Sequence, residues 1–122
     1  MPEIFKLKTG VITLVKIWVD DVRPCPDKSW VVVKSVNAAK DLISRIETRF
    51  GGFAFNPLHG IAKISLDHDL GEFAIDGGDG IKLMDWLVER GTLYPIEFHT
   101  MNPVGRENME RMRRRYWCQE SL

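Results

Sequence analysis

The chain has 122 residues, 44% of them apolar and 28% charged, with 17 basic residues against 17 acidic ones. That length holds one hydrophobic core, so residues 1–122 are read as a single domain. A zero balance removes whole-chain charge as a reason to bind nucleic acid or membrane, and no apolar run is long enough to cross a bilayer.

The first ten residues, "MPEIFKLKTG", lack the apolar stretch and cleavage site of a secretory signal, which predicts a cytoplasmic protein. Within residues 1–13, "EIFKLK" is a candidate extra strand or extension. Residues 11–19, "VITLVKIWV", are nearly all β-branched or aromatic and halt at Asp20 and Asp21, the pattern of a central strand buried on both faces. A Pro-bearing loop, "VRPCPDKS", leads to a short strand, "WVVVK". Ser35 caps a helix whose Val36, Ala39, Ile43, Ile46 and Phe50 recur every three or four residues before Gly51 and Gly52 stop it.

"IAKISL" is a further strand, ending at Asp67, and the loop from there to Gly80 is rich in glycine and aspartate. Met84, Leu87 and Val88 mark one face of a second helix closed by Gly91. "PIEFH" reads as a strand, Asn102 and Pro103 as the cap and first position of a last helix, and Met109, Met112 and Tyr116 as its apolar stripe. Trp18, Trp30 and Trp86 are assigned to the core, with Trp30 also placed to line a pocket. Cys25 and Cys118 are far apart and lack metal-binding spacing. Strands alternating with helices imply an α/β fold with a mainly parallel sheet.

In open parallel sheets, ligands bind beyond the carboxyl ends of the strands. The first strand delivers Asp20, Asp21 and Arg23 there, the next core strand Asp67, His68 and Asp69, and the third His99, Thr100 and Asn102. The amino ends offer only Thr9, Gly60, Thr92 and Tyr94. Carboxylates gathered this closely repel unless a cation sits among them, and an oxygen-rich set suits Mg²⁺ or Mn²⁺ better than zinc. The helix start from Asn102 to Arg106 offers backbone N–H groups, Gly105 and a guanidinium to an anion. A phosphate ester or phosphoryl group between the two is the expected ligand.

Each element also has a plainer reading. Arg23 could be the ion-pair partner of Asp20 and Asp21, His99 a hydrogen-bonded structural residue, and Asn102 with Pro103 a cap and nothing more. "RMRRRYW" reads as a solvated last turn favoured by the helix dipole in preference to a nucleic-acid patch.

Together, "WVDDVRPCP", "WVVVKS", "ISLDHDLG" and "HTMNPVGRENM" resemble the cyclic-phosphate-processing receiver-like family, a divergent relative of response-regulator receiver domains. The resemblance implies a truncated flavodoxin-like, receiver-like three-layer fold that lacks the last strand and helix. It further implies Mg²⁺ at Asp20, Asp21 and Asp67, with Asp67 at the phosphoacceptor position, Gly80 entering the following helix and Thr100 after the next strand. Two departures from ordinary receivers stand out: residues 21–30 are too few for a crossover helix, and too little sequence follows Tyr116 for a fifth strand and its lysine.

The expected function is metal-dependent hydrolysis of a cyclic phosphate on an RNA end or a nucleotide. Asp20, Asp21 and Asp67 would hold Mg²⁺ or Mn²⁺; His68 or His99 would transfer protons, with Asp69 orienting an imidazole; Arg23, Thr100, Asn102 and Arg106 would contact phosphate. Spacing does not say which histidine is acid and which base. A receiver-type phosphoacceptor module and a non-catalytic protein that binds a nucleotide or a partner are the alternatives.

Overall fold

A computed structural model of the chain describes residues 13–49 and 59–117. The expected N-terminal strand, the stop of the first helix at residues 50–52 and Cys118 lie outside them. The elements in chain order are β1 (Thr13–Val19), β2 (Trp30–Val33), α1 (Val36–Arg49), β3 (His59–Leu66), a 3-10 turn (Gly71–Ile75), α2 (Ile81–Arg90), β4 (Ile96–Phe98) and α3 (Pro103–Tyr116). The sheet is wholly parallel, in the order β2-β1-β3-β4. This is the truncated receiver-like α/β arrangement expected from the sequence, with two layers among the described residues where three were expected, because the helices share one face. The 3-10 turn was not foreseen, because its residues carry glycine and no helical periodicity.

Both helical crossovers, β2 to β3 and β3 to β4, step across the sheet in one direction, so right-handed connections place their helices on one face. Val15, Ile17 and Val19 of β1 accordingly share one core with Ile64 and Leu66 of β3, Ile96 and Phe98 of β4, Val36, Ile43 and Ile46 of α1, Leu83, Met84 and Leu87 of α2, and Met109 of α3. The opposite face has a different character. There Leu14 is 49% exposed, the Lys16 ammonium lies 4.7 Å from the Trp30 ring centroid, and Lys63 pairs with Glu97 at 3.2 Å. Burial of β1 on both faces therefore holds only at its upper end, at Trp18. The physical reason is the first connection: residues 20–29 form loop and bend, with no helix to cover that side.

Local chemistry sets the element ends. The Ser35 hydroxyl accepts the Ala38 N–H at 3.1 Å and donates to Asp76 Oδ2 at 2.7 Å, while Asn37 donates its N–H to the Asp76 carbonyl at 3.1 Å. Asp76 thus lays the β3–α2 loop over the start of α1, where a negative charge is favoured. Gly91 closes α2 in the left-handed conformation, with φ of 74°. At the amino end of the sheet, Glu47 of α1 accepts from Arg90 of α2 and from the Tyr94 hydroxyl, tying two helices and the approach to β4 through one buried carboxylate.

β4 ends the sheet with an open edge among the described residues. Arg106 donates from Nη1 to the Phe98 carbonyl at 3.3 Å, and the Arg113 guanidinium sits 5.7 Å from the Phe98 ring centroid. Such charged cover discourages another strand from pairing there. Arg113 and Arg114 in the "RMRRR" run pair with Glu110 and Glu107 at 3.0 and 3.2 Å, consistent with a solvated last turn.

Candidate active site

Strand register builds the site. Val19, Leu66 and Phe98 lie side by side in the sheet. The ladder then continues one residue further: Asp20 N–H donates to the Val33 carbonyl at 3.1 Å, Asp67 N–H to Val19 at 3.0 Å, and His99 N–H to Leu66 at 3.2 Å. Asp20, Asp67 and His99 therefore form one row just past the carboxyl ends of three neighbouring strands. The convergence expected from the sequence is a consequence of parallel pairing in register.

Asp20 is 2% exposed and hydrogen-bonded through both carboxylate oxygens. Its Oδ1 accepts the N–H groups of Val22 and Arg23 at 2.9 and 2.8 Å, which uses both lone pairs of that oxygen. Its Oδ2 accepts from His99 Nε2 at 2.8 Å, leaving one lone pair for a cation. Burial alone would raise the Asp20 carboxyl, but the two N–H groups and the His99 ring outweigh it and hold the group below its ordinary value. Asp67 goes the other way. Burial pushes its carboxyl up and the nearby charge of Asp20 adds to that, against the bond from the Thr100 hydroxyl.

Asp20, Asp21 and Asp67 can each offer a carboxylate oxygen within 4.8 Å of the others. Three hard oxygen donors at that spacing, one of them pushed up by burial and then by the charge of its neighbour, fit an Mg²⁺ or Mn²⁺ ion. The backbone permits the approach. A Cβ at Gly80 would stand 2.0 Å from the Asp67 carbonyl oxygen, so only glycine lets α2 begin against this strand end.

The two histidines occupy different surroundings. Side chains alternate across the sheet, and the residue after Asp67 turns toward the helices. His68 packs on the first turn of α3, where a Cβ at Gly105 would lie 2.4 Å from its ring. Its Nδ1 meets Asp69 Oδ1 at 2.8 Å. Asp69 also accepts from Asn102 Nδ2 at 3.0 Å, and the bond from His68 is the main cause holding its carboxyl below the ordinary value. Asn102 Oδ1 in turn accepts the Gly105 N–H at 2.9 Å, as the expected helix cap.

His99 turns to the face without helices. Its ring stacks on Trp18 at 3.8 Å between centroids and 6° between planes, and its Nδ1 meets Ser65 Oγ at 2.8 Å. Ser65, His99 and Asp20 thus stand in the order of a hydrolase triad, yet Ser65 is wholly buried and cannot reach a substrate. Burial depresses the His99 imidazole despite the Asp20 carboxylate beside it.

A cleft of about 240 Å³ opens between these groups, lined by Arg23, Asp67, Asp69, Thr100, Met101 and Asn102. Arg23 is its cation, anchored through Nη1 to the His99 carbonyl at 2.7 Å. Arg106, expected on the phosphate, is not among the lining residues and donates one guanidinium N–H to the Phe98 carbonyl. The helix start is also less open to an anion than its sequence suggests. Pro103 has no N–H, Gly105 donates to Asn102 Oδ1 and Arg106 to the Asn102 carbonyl, which leaves Val104. Sequence reasoning missed Ser65 and Trp18 as neighbours of His99. The alternation of β1 and β3 carried that signal, since both residues share the face from which His99 projects.

A family model described as the cyclic-phosphate processing receiver domain matches residues 15–115. No curated protein and no solved structure matches the chain.

Proposed function

The chain belongs to the cyclic-phosphate processing receiver domain family, and from that premise we propose that its cleft hydrolyses a cyclic phosphodiester on an RNA end or a nucleotide. One observation carries the reading: the carboxylates of Asp20, Asp21 and Asp67 meet within 4.8 Å, and Asp67 lines a cleft that also holds Arg23 and Asp69. Asp20, Asp21 and Asp67 would hold Mg²⁺ or Mn²⁺, which supplies charge stabilisation to a phosphoryl oxygen when bound. Arg23 contacts the remaining phosphate oxygens through the guanidinium nitrogens not bonded to His99. Thr100 donates to Asp67 and fixes that carboxylate toward the cation.

The Asp69–His68 pair is the proton-transfer unit. Asp69 lines the cleft, and His68 and Asn102 hold its orientation. As the water oxygen bonds to phosphorus, the pair takes its proton. As the P–O bond to one sugar oxygen breaks, the same proton passes to that oxygen, and a phosphomonoester is left.

The test is incubation of the purified protein with Mg²⁺ or Mn²⁺ and, in turn, 2′,3′-cyclic nucleotides, RNA ending in a cyclic phosphate, and cyclic dinucleotides. The expected product is a phosphomonoester, lost in Asp67→Asn. No turnover of any of them defeats the proposal. An acid-labile adduct on Asp67 after treatment with a small phosphodonor would instead support a phosphoacceptor module.

A further inference from the structure

His99 has the residue type of a proton-transfer group, but its surroundings leave it no proton-transfer task. Nε2 is held by Asp20 and Nδ1 by Ser65, both at 2.8 Å. One ring face is covered by Trp18 at 3.8 Å. The ring is not among the residues lining the cleft. A carboxylate only accepts hydrogen bonds, so Nε2 carries the proton toward Asp20, and Nδ1 of a neutral ring then accepts from the Ser65 hydroxyl.

The surrounding bonds close a ring. Trp18 Nε1 donates to the Arg23 carbonyl at 2.9 Å, the Arg23 N–H donates to Asp20 Oδ1 at 2.8 Å, and Arg23 Nη1 donates to the His99 carbonyl at 2.7 Å. His99 closes it by bonding Asp20 and stacking on Trp18. Asp20 Oδ2, the oxygen with a lone pair to spare, is the atom His99 holds.

We propose that His99, set by Ser65 and Trp18, is a positioning residue that aims the Asp20 carboxylate at the cation and anchors Arg23 at the phosphate. The proposal rests on the metal-site reading above. Hydrogen bonds to a ligating carboxylate fix its direction and basicity, and their loss typically weakens metal binding by roughly 10- to 100-fold.

The experiment measures Mn²⁺ affinity by electron paramagnetic resonance and turnover at saturating Mn²⁺, in wild type, His99→Phe, His99→Gln and Ser65→Ala. His99→Phe keeps a ring on Trp18 but no nitrogen, and is expected to bind Mn²⁺ roughly 10- to 100-fold more weakly. His99→Gln retains a donor for Asp20 and is expected to recover most of that affinity and to turn over substrate once metal is saturating. Ser65→Ala, the mildest change, is expected to fall between wild type and His99→Phe. Unchanged Mn²⁺ affinity in His99→Phe overturns the proposal. So does a His99→Gln protein that binds Mn²⁺ normally yet is inactive, because the ring itself would then be a catalytic group.

A nitrogen-15 long-range correlation spectrum of the metal-free wild type provides a separate arm. The Nε2–H form is expected for His99, and the Nδ1–H form overturns the clamp. Wild type that binds no Mn²⁺ removes the metal reading and the role proposed toward it, while this spectrum still decides whether His99 grips Asp20.

Discussion

Gly105 and His68 touch so closely that a Cβ on the glycine would lie 2.4 Å from the imidazole Cγ. Alanine would favour the helix by about 1 kcal/mol over glycine, which offsets part of the clash. Gly105→Ala is therefore expected to lower the melting temperature by several degrees while pushing His68 off Asp69. A misplacement on the order of 1 Å can cost about 100-fold in rate. Paired melting and turnover measurements on cyclic phosphates check this; full activity would show that the His68 position does not matter.

The two arginines nearest the site separate cleanly. Arg23 lines the cleft and Arg106 covers the edge of β4. Arg23→Ala is expected to weaken substrate binding by roughly 10- to 100-fold, the worth of about 1.5–3 kcal/mol for hydrogen bonds to a charged group. Arg106→Ala is expected to leave KM unchanged and to raise the tendency to self-associate through the exposed edge. Steady-state kinetics and light scattering read the two effects.

Stability and activity should also divide along the strand axis. Tyr94, 5% exposed, donates its hydroxyl to the buried Glu47 carboxylate at the amino end of the sheet. Tyr94→Phe leaves that carboxylate short of a donor and is expected to cost about 1–3 kcal/mol of unfolding free energy. Activity per folded molecule should be unchanged. Denaturant titration and turnover on the same sample test both halves.

Asp76 gives the acid limb a defined sign. Its bonds from Ser35 and then Asn37 hold its carboxyl below the ordinary value of 3.8. A group depressed on folding contributes stability that is present above its unfolded value and is lost as pH falls through the lower folded one. Denaturant midpoints of wild type should therefore drop below 3.8 more steeply than those of Asp76→Asn, and the two curves should converge in acid. Parallel curves across that window would rule the linkage out.

The fold was largely legible because β1 and β3 are β-branched, apolar-rich runs, because α1 carries strong periodicity, and because each strand stops at a polar residue. The acidic cluster followed from the same stops. What the sequence could not convey was direction. Both histidines sit next to an aspartate or a strand end, and nothing in their spacing says that His68 leans on α3 while His99 folds back over Trp18 and Ser65. Arg106 illustrates the same limit: a guanidinium four residues past a helix cap can reach a ligand or a strand edge, and here one of its N–H groups meets the Phe98 carbonyl at the open side of β4. Sequence reading also gave the start of α3 more free N–H groups than it has, because Asn102 and Pro103 consume or remove them.

Asn102 holds Asp69 with its amide nitrogen and the first turn of α3 with its amide oxygen. Fraying of that turn consequently loosens the Asp69 carboxylate, which then keeps only its bond with His68. Any ligand that steadies Asp69 must slow the opening of the helix start, so amide hydrogen exchange at Gly105 becomes a gauge of occupancy that needs no knowledge of the substrate. The end of the last helix nearest the cleft would report, in minutes to hours of exchange, what happens at the ends of the strands.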